Sequence, residues 1–463
     1  MSSGSDPAKV ALPESAVVIR PYPWSVERLA FAAGTAAVGL LAAAACLPGA
    51  HRFALWQDEV ASARIVAEPD PVAMLRHVAR TESTPPLWYA VAWLVHRCGL
   101  AVEDVRLLSV AAAVLLAAGT ALAARRLVPA PAALLAGAAV ALGYQFDFHG
   151  RELRAYELAA LLTLALALAA ARGRSTQLAW IVAAGTLTHY FFLFSVAAVV
   201  LWRPARWRPV VAGLVPLALW SPVLVRQYDR HRFAFIGPFR LHTVLVTYWT
   251  TFARAQPHAP VLHAAAPLAL LVAVAAGSLL LARDSDEGRL WALLALVPVA
   301  AAASLWLAGA RVYDVRNLLG AGPFAAVAVA AVLARLPRRA SLAVGCALAV
   351  LLGTGYVRSN RAHPVAYDRI AAALVAEGWR PHDPIVVEGG LYALWGPLEW
   401  YLPGRPMLVA GRTSHAQPVF VVGARWTPLA RRADTVRWIR RTIVGRVDAA
   451  APDRTALLVG ARR

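Results

Sequence analysis

The chain has 463 residues, of which 59% are apolar and only 16% charged, and its mean hydropathy is +0.56. This balance lies outside the range of soluble globular domains and indicates a membrane protein. The formal net charge of +20 comes almost entirely from arginine, and the arginines cluster in short loops between apolar stretches. That distribution is the positive-inside pattern, with anionic lipid headgroups as partners, and it argues against nucleic-acid binding.

A polar segment of mixed charge, residues 1–27, precedes the apolar stretches, and we predict that it is cytoplasmic. Ten stretches approach or exceed the roughly 20 residues that span a bilayer, and an eleventh is shorter. In chain order they are 28–50, 85–101 (the shorter one), 104–124, 130–146, 153–171, 177–202, 209–225, 261–283, 290–309, 316–335 and 340–356. The sequence therefore predicts an α-helical polytopic membrane protein, with about 11 transmembrane helices over residues 28–356.

Placing the basic loops in the cytoplasm puts the first long loop, 51–84, on the outer side. Two stretches do not fit a single crossing. Residues 177–202 contain "GTLTHYFFLF" between two basic loops, so we predict two short helices that meet near His189. Both ends of 85–101 are assigned outside, so this stretch is expected to dip into the membrane and return.

From about residue 357 the composition changes, and this part is expected to be extracytoplasmic. One stretch has helical periodicity, 367–378, and another, 427–443, reads as a basic amphipathic helix. Four short apolar runs are typical of buried strands. They are 384–389, 406–411, 419–424 and 456–461. Residues 357–463 are therefore predicted to form a small α/β domain.

Asp58 and Glu59 stand side by side in "ALWQDEVASARIV", just after the first apolar stretch. On the outer face of the membrane, such a pair could supply a general base, bind a metal or begin a helix. Acidic residues in a first helical turn are ordinary, because they oppose the helix dipole. Local sequence alone leaves these roles open.

Five segments in order give the chain a wider resemblance. They are "LWQDEVASA", "ESTPPLWY", "GRELRAYELAALLTLALAL", "THYFFLF" and "RVYDVRNLLGAGPFAAVA". Together they resemble the integral-membrane glycosyltransferases of the family 39 type, which include protein O-mannosyltransferases and the bacterial enzyme that adds aminoarabinose to lipid A. The resemblance covers residues 28 to about 356 and is followed by an α/β tail similar to the family's.

The resemblance implies a GT-C fold and a polyprenyl-phosphate-linked sugar donor, with transfer at the extracytoplasmic face and inversion at the anomeric carbon. The family's acidic pair corresponds to Asp58 and Glu59, and its Pro-Pro motif to Pro85 and Pro86. Thr84 departs from the pattern, because many relatives carry His or Lys there. A basic contact to the donor phosphate must then come from elsewhere.

The residue types suit the implied reaction. An acceptor hydroxyl needs a base as its bond to the sugar forms, and we assign that role to Asp58. Glu59, one position on, points about 100° away on a helix and is expected to orient a partner or bind the acceptor. The departing phosphate favours arginine, which stays charged and grips two oxygens. The candidates are Arg316, Arg151, Arg154 and Arg311, each of which could instead be an interfacial anchor.

The remaining candidates lie beside these residues. Glu152 and Tyr156 could bind sugar hydroxyls or hold the arginines, and Tyr89 is either a substrate contact or an interfacial anchor. Some relatives bind a divalent metal ion, for which Glu82 and His189 are candidate ligands. Both are also candidate substrate contacts, and a hydrogen-bonded structural role is the alternative.

The sequence thus predicts a glycosyltransferase of the bacterial plasma membrane. It would move a hexose or pentose from a polyprenyl-phosphate donor to a hydroxyl of an envelope glycan, lipid or protein. The alternative is a transporter or flippase of lipid-linked sugars. A transporter would place its essential polar groups near the midplane of the bilayer, whereas Asp58 and Glu59 lie in a loop.

Overall fold

The computed structural model describes most of the chain. The described residues are 26–229, 236–253, 260–361, 367–376, 379–381, 384–387, 392–402, 404, 407–410, 420–424, 443–448 and 456–461. They form nineteen α-helices, three short 3₁₀ helices and five strands.

The first ten helices carry the outer loop and the first half of the bundle. They are α1 (Val26–Arg52), α2 (Gln57–Val66), α3 (Pro71–Thr81), α4 (Leu87–Arg97), α5 (Leu107–Ala124), α6 (Ala130–Leu142), α7 (Tyr144–His149), α8 (Tyr156–Ala171), α9 (Ser175–Thr188) and α10 (Phe192–Trp202). The next seven complete the bundle. They are α11 (Trp207–Asp229), α12 (Leu241–Leu245), α13 (Thr247–Phe252), α14 (Pro260–Asp284), α15 (Asp286–Leu307), α16 (Gly322–Leu333) and α17 (Arg338–Arg361). Two more, α18 (Tyr367–Ala376) and α19 (Tyr392–Tyr401), lie in the C-terminal part.

Seven of the described helical segments are long and apolar enough to cross a bilayer, so the chain is a multi-pass membrane protein. They are Val26–Arg52, Glu103–Ala124, Pro204–Tyr228, Ala265–Asp284, Asp286–Leu307, Val315–Leu333 and Arg338–Val357. Three shorter apolar helices, α6, α8 and α10, pack among them. Each apolar stretch predicted from the sequence contains a helix, and 177–202 contains two helices that break at His189, as predicted.

The bundle is tightly packed because small residues let the helices approach closely. A side chain at Gly137 of α6 would lie 2.8 Å from the Cβ of Ala121 and 2.9 Å from the backbone oxygen of Ala117, both on α5. Alanine dominates the buried positions of α5, α6 and α16. Most of the binding energy between such helices is close van der Waals contact, because lipid is as apolar as the core.

The outer loop 51–84 folds into α2 and α3, which pack with α4 around a separate apolar core. Its buried members include Leu55, Ile65, Met74, Val78 and Trp88. Helix α4 has 11 residues, about 16 Å at 1.5 Å per residue, which is too short to cross the hydrocarbon core. Trp93 of α4 donates from its indole N–H to the backbone oxygen of Glu68 at 2.9 Å, which ties α4 to the loop between α2 and α3.

The C-terminal part contains a five-stranded sheet. The strands are β1 (Pro384–Val387), β2 (Met407–Ala410), β3 (Phe420–Ala424), β4 (Ile443–Asp448) and β5 (Ala456–Ala461), in the order β2-β1-β3-β5-β4. β1 pairs in parallel with β2 and β3, and β5 pairs antiparallel with β3 and β4. All four predicted strand segments contain a strand; β4 and α19 are additional. The predicted helix 427–443 lies outside the described residues, apart from Ile443, which begins β4.

Helix α19 connects this part to the outer loop. The Tyr401 hydroxyl accepts from the backbone N–H of Leu55 at 2.7 Å, and Arg64 of α2 pairs with Glu399 at 2.6 Å. Trp400 donates to Glu103 at 3.2 Å. The C-terminal part therefore rests directly on α2, the helix that carries Asp58.

Candidate active site

A cavity of about 360 Å³ lies where the outer loop meets three breaks between helices of the bundle, at residues 154–156, 189–191 and 316–317. Irregular backbone in a membrane protein is tolerated where it is buried in protein or lines a cavity, which is the case here. The lining residues are Gln57, Asp58, Ala61, Thr81, Glu82, Ser83, Thr84, Arg154, Tyr156, His189, Tyr190, Phe191, Arg316 and Asn317. Six of the candidates chosen from the sequence, Asp58, Glu82, Arg154, Tyr156, His189 and Arg316, therefore meet at one cavity.

Asp58 stands in the first turn of α2, where its side chain is 30% exposed and reaches the cavity. The guanidinium of Arg316 donates from Nη1 to Asp58 Oδ2 at 3.1 Å. Arg316 also pairs through Nε with Asp314 Oδ2 at 3.1 Å, and Asp314 accepts from the backbone N–H of Arg316. Asp314 thereby caps the 3₁₀ helix Val315–Ala321 and holds the arginine at the cavity wall.

Glu59 points away from the cavity into the protein. Its side chain is 1% exposed and forms a two-pronged ion pair with Arg106: Oε1 accepts from Nε at 2.7 Å, and Oε2 from Nη2 at 2.5 Å. Glu59 Oε1 also accepts from the backbone N–H of Leu153 at 2.8 Å. Arg106 donates further to backbone oxygens of residues 50, 53 and 54. This network ties the start of α2 to α1, α5 and the segment before α8.

Arg154 occupies the floor of the cavity on that same segment. Its Nη1 lies 3.1 Å from Ser62 Oγ, 3.3 Å from the backbone oxygen of Asp58 and 3.4 Å from the hydroxyl of Tyr89. The same nitrogen pairs with Glu82 Oε2 at 3.5 Å. Arg154 and Arg316 are the two cationic side chains among the described lining residues.

Residues 81–84, just before the Pro-Pro motif, line the cavity, whereas the predicted substrate contacts Pro85 and Pro86 do not. Pro85 and Pro86 are buried, and Pro86 stands immediately before α4. Thr84 contacts Tyr89 at 3.2 Å and Glu82 at 3.4 Å through its hydroxyl. Tyr89 is buried and is absent from the residues that line the cavity, so it supports Thr84 and Arg154 from behind.

Tyr156 and His189 lie side by side, with ring centroids 5.5 Å apart. The guanidinium carbons of Arg154 and Arg316 lie 5.9 and 6.0 Å from the centroid of the Tyr156 ring. These distances are within the range of cation–π attraction, so the one ring helps to hold both arginines. His189 is 4% exposed, and its Nδ1 accepts from the backbone N–H of Phe191 at 3.3 Å.

A buried carboxyl–imidazole pair lies behind this wall. Glu152 Oε2 is 2.6 Å from His149 Nδ1, and His149 Nε2 is 2.8 Å from Gln145 Oε1. Burial, reinforced by the negative charge of Asp58, raises the pKa of Glu152 to about 8. Burial and the positive charge of Arg316 lower the pKa of His149 to about 3. Both shifts favour the neutral forms of the two side chains, in which the Glu152 carboxyl would donate to Nδ1 and Nε2 would donate to Gln145.

Two predicted phosphate ligands lie away from the lining residues. Arg151 is 2% exposed, pairs with Asp147 at 3.4 Å and stacks over the ring of Phe53. Arg311 is exposed, ahead of the 3₁₀ helix that carries Arg316. The described residues contain no group of three or more His, Cys, Asp or Glu side chains that could hold a metal ion. Glu82 and His189 nevertheless line the same cavity.

Next to the cavity lies a much smaller space of about 20 Å³, between α8, α10 and α15. It shares Tyr156, His189, Phe191, Arg316 and Asn317 with the main cavity. Its other walls are largely small or apolar. They include Ala159, Phe192, Pro298, Leu318, Leu319 and Ala321. The site thus has a polar chamber under the outer loop and a less polar arm that runs among the apolar helices.

Sequence reasoning missed three contributors to the site. Arg106 begins an apolar stretch, where an arginine is an ordinary anchor, and nothing in the sequence pairs it with Glu59. Tyr190 lies next to His189 in "LTHYFFLF". Gln227 lies two residues after the predicted span 209–225, between Arg226 and Tyr228, where a polar side chain carries no signal of burial.

A scan against protein-family models finds no match, and neither does a search of curated proteins. Among solved structures, ArnT from Cupriavidus metallidurans bound to undecaprenyl phosphate is similar over 94% of this chain and 97% of that chain, with 14% identity and a TM-score of 0.53. AglB, the oligosaccharyltransferase of Archaeoglobus fulgidus, in complex with an inhibitory peptide and a dolichol-phosphate, is similar over 83% of this chain and 65% of that chain. Its identity is 12% and its TM-score 0.48.

The likeness to ArnT, which extends over nearly the whole of both chains, defines the fold. This chain is a polytopic α-helical membrane protein with the GT-C fold of integral-membrane glycosyltransferases. The fold class predicted from the sequence is thereby confirmed.

Proposed function

We propose that this protein transfers a hexosyl or pentosyl group from a polyprenyl-phosphate-linked donor to a hydroxyl of an envelope glycan, lipid or protein. The observation that carries the proposal is the meeting of one carboxylate, Asp58, with two arginines, Arg154 and Arg316, in a single cavity. A base and a phosphate ligand within contact distance are what glycosyl transfer from a phosphate requires. The GT-C fold and the lipid phosphate bound to ArnT support the same reaction.

The proposed reaction is an inverting displacement. The acceptor oxygen attacks the anomeric carbon, and its proton passes to the Asp58 carboxylate as the new C–O bond forms. The bond from the anomeric carbon to the phosphate oxygen breaks, and its electron pair stays on the phosphate. Arg316 donates hydrogen bonds to that phosphate, and Arg154 adds positive charge from the floor of the cavity.

Within this proposal, the Asp58–Arg316 ion pair is the state before the donor binds. A donor phosphate would take the Arg316 hydrogen bonds and leave Asp58 free to accept a proton. Glu59 has a structural role, because its two-pronged bond to Arg106 anchors the start of α2 in the protein.

The arginine-rich loops support an orientation with this cavity on the outer side of a bacterial plasma membrane. A donor carried on a polyprenyl phosphate would be available there without nucleotide sugars. Nothing in this scheme requires a metal ion. Glu82 and His189 remain the candidate ligands if one binds.

The test is the lipid content of cells that lack the gene, measured by mass spectrometry. We expect a polyprenyl-phosphate hexose or pentose to accumulate, and wild-type protein to abolish the accumulation. The Asp58→Asn variant, present in the membrane at wild-type level, should not abolish it. A transporter needs no general base, so its Asp58→Asn variant would still abolish the accumulation. Full complementation by Asp58→Asn would therefore contradict the proposal.

A further inference from the structure

Tyr190 lines the outer chamber of the cavity, and its hydroxyl group is fully engaged on the protein side. It donates to Gln227 Oε1 at 2.7 Å and accepts from Trp220 Nε1 at 2.9 Å. A phenol has one hydrogen to donate, and here that hydrogen is used. Tyr190 therefore has no hydroxyl proton left for a substrate, and what it offers to the cavity is its ring.

Helix α11 holds this ring in place. Trp220 and Gln227 are seven residues apart, two turns of helix, so they share one face of α11. Gln227 is 1% exposed, and its amide nitrogen donates to the backbone oxygen of Val78 on α3 at 3.3 Å. The same side chain thus fixes both Tyr190 and the helix that ends at Thr81 on the cavity wall.

The Tyr190 hydroxyl has two hydrogen-bond partners, the amide of Gln227 and the indole of Trp220, whereas apolar packing alone would need neither. Burying these polar groups is costly unless every partner is present, so the arrangement holds the ring in a single orientation. Tyr190 lines the outer chamber but not the less polar arm. It shares the chamber with the neutral hydrogen-bonding side chains of Gln57, Ser83 and Thr84.

We propose that Tyr190 is the platform on which the transferred sugar ring stacks, and that it determines the affinity of the site for the glycosylated donor. A sugar ring has one face of C–H groups and a rim of hydroxyls. A fixed aromatic ring can stack on the C–H face, and the neutral polar side chains of the chamber can hydrogen-bond the hydroxyls. This proposal rests on the proposed function, because it concerns the sugar carried by the same donor.

The test compares a bare lipid phosphate with its glycosides, using the full-length protein in nanodiscs. The probes are undecaprenyl phosphate and its glucosyl, mannosyl, galactosyl and arabinosyl esters. The readout is the gain in affinity that the sugar adds. If Tyr190 is only structural, replacing it should weaken the binding of all probes alike. If it is a sugar platform, replacing it should reduce only the affinity gained from the sugar.

We expect wild-type protein to bind at least one glycoside more tightly than undecaprenyl phosphate. Tyr190→Ala should weaken that glycoside about 10-fold, the loss expected when two or three C–H groups are no longer covered, and leave the bare phosphate unaffected. Tyr190→Phe keeps the ring and should retain most of the gain. Tyr190→Leu, which fills the space without a flat ring, should behave as Ala does and serves if the Ala variant does not fold.

Tyr228→Ala is the matched control, because Tyr228 is an exposed tyrosine on α11 next to Gln227. It should bind every probe as the wild type does. Equal weakening of bare and glycosylated probes in Tyr190→Ala, or weakening of neither, overturns the platform while leaving the proposed function standing. A wild-type protein that binds neither undecaprenyl phosphate nor any glycoside overturns both.

Discussion

Arg316 donates to Asp58 at 3.1 Å, although 258 residues separate them in the sequence. The contact joins the first outer loop to the segment that precedes α16, so the site exists only once both halves of the bundle are assembled. The ion pair is partly exposed, with side chains 25% and 30% accessible. An exposed pair of this kind adds little stability, which leaves both groups available to substrates.

Asp58→Asn is the first test of the base. Asn keeps the shape of the side chain but cannot accept the proton, so transfer should fall by roughly 10²–10⁴-fold. Affinity for the donor, measured on purified protein, should stay close to that of the wild type. Asp70→Asn is the control: Asp70 caps α3 on the same outer loop, and Asn caps a helix as well as Asp does. Near-normal turnover in Asp58→Asn would remove Asp58 from the role.

Glu59→Gln should affect stability and not chemistry. Replacing one partner of a buried ion pair leaves Arg106 uncompensated, which typically costs about 3–5 kcal/mol. Gln still accepts from the backbone N–H of Leu153, so the fold should survive with a lower melting temperature. Activity per folded molecule should change little. A variant of wild-type stability with turnover as low as Asp58→Asn would instead make Glu59 a catalytic group.

The sequence was informative wherever a single physical rule decides the outcome. Apolar length predicted the helices, and the break at His189 followed from two basic loops that both had to be cytoplasmic. Neighbouring residues on a helix point about 100° apart, which predicted different directions for Asp58 and Glu59. Both residues do lie on a helix, α2, which begins at Gln57. The choice of Asp58 and Arg316 rested on the resemblance to the glycosyltransferase family, and the structure places both side chains at one cavity.

The rest depends on contacts that no local pattern encodes. Arg151 and Arg154 share a short stretch, yet one is buried against Asp147 and the other lines the cavity. Their spacing of three residues would put them on one face of a helix, whereas this segment lies before the start of α8 and is not helical. Likewise, the partners of Tyr190 come from α11, 30 and 37 residues later, and follow only from the packing of the bundle.

Glu152 should make the stability of the protein fall as the pH rises. Its pKa is about 8 in the folded protein against an ordinary value of 4.5, so between these values the folded state binds more protons than the unfolded state. Stability from this group is therefore complete below about pH 4.5 and is lost as the pH approaches 8. His149, shifted from 6.5 to about 3, has the opposite slope, which ends at about pH 6.5.

The window from pH 6.5 to 8 therefore separates the contribution of Glu152 from that of His149. Melting temperatures in detergent should decline across it for the wild type, and the decline should be smaller in Glu152→Gln, which carries no titrating group. All other groups titrate alike in the two proteins, so the difference between the curves reports this carboxyl. Parallel curves for the two proteins would show that Glu152 is ionised throughout.

The orientation of the chain can be tested with single cysteines in a background where the exposed Cys98 and Cys346 are replaced by Ser. Arg76→Cys on α3 and Ala376→Cys on α18 should react with a membrane-impermeant maleimide in intact cells. Ala205→Cys, between α10 and α11, should react only after permeabilisation. All three positions are exposed in the structure. The reverse pattern would put the cavity on the cytoplasmic side and with it the proposed reaction.

Arg316→Ala separates phosphate binding from membrane anchoring. Charged hydrogen bonds are worth about 1.5–3 kcal/mol, so the apparent affinity for the donor should fall by about 10- to 100-fold. The rate should fall as well, because charge grows on the phosphate as it leaves. Arg335→Ala is the control, since Arg335 forms an exposed ion pair with Asp284 at the other end of the bundle.

Arg316→Lys distinguishes the two roles further. An ammonium keeps the charge but cannot form the two-pronged contact, so Lys should restore only part of the affinity. An arginine that merely anchors the chain at the interface would give the opposite pattern. Lys would then replace it fully, and Ala would lower insertion or stability without changing kinetics per folded molecule. Full activity in purified Arg316→Ala would leave Arg154 as the one remaining cation among the described lining residues and would assign the phosphate to the floor of the cavity.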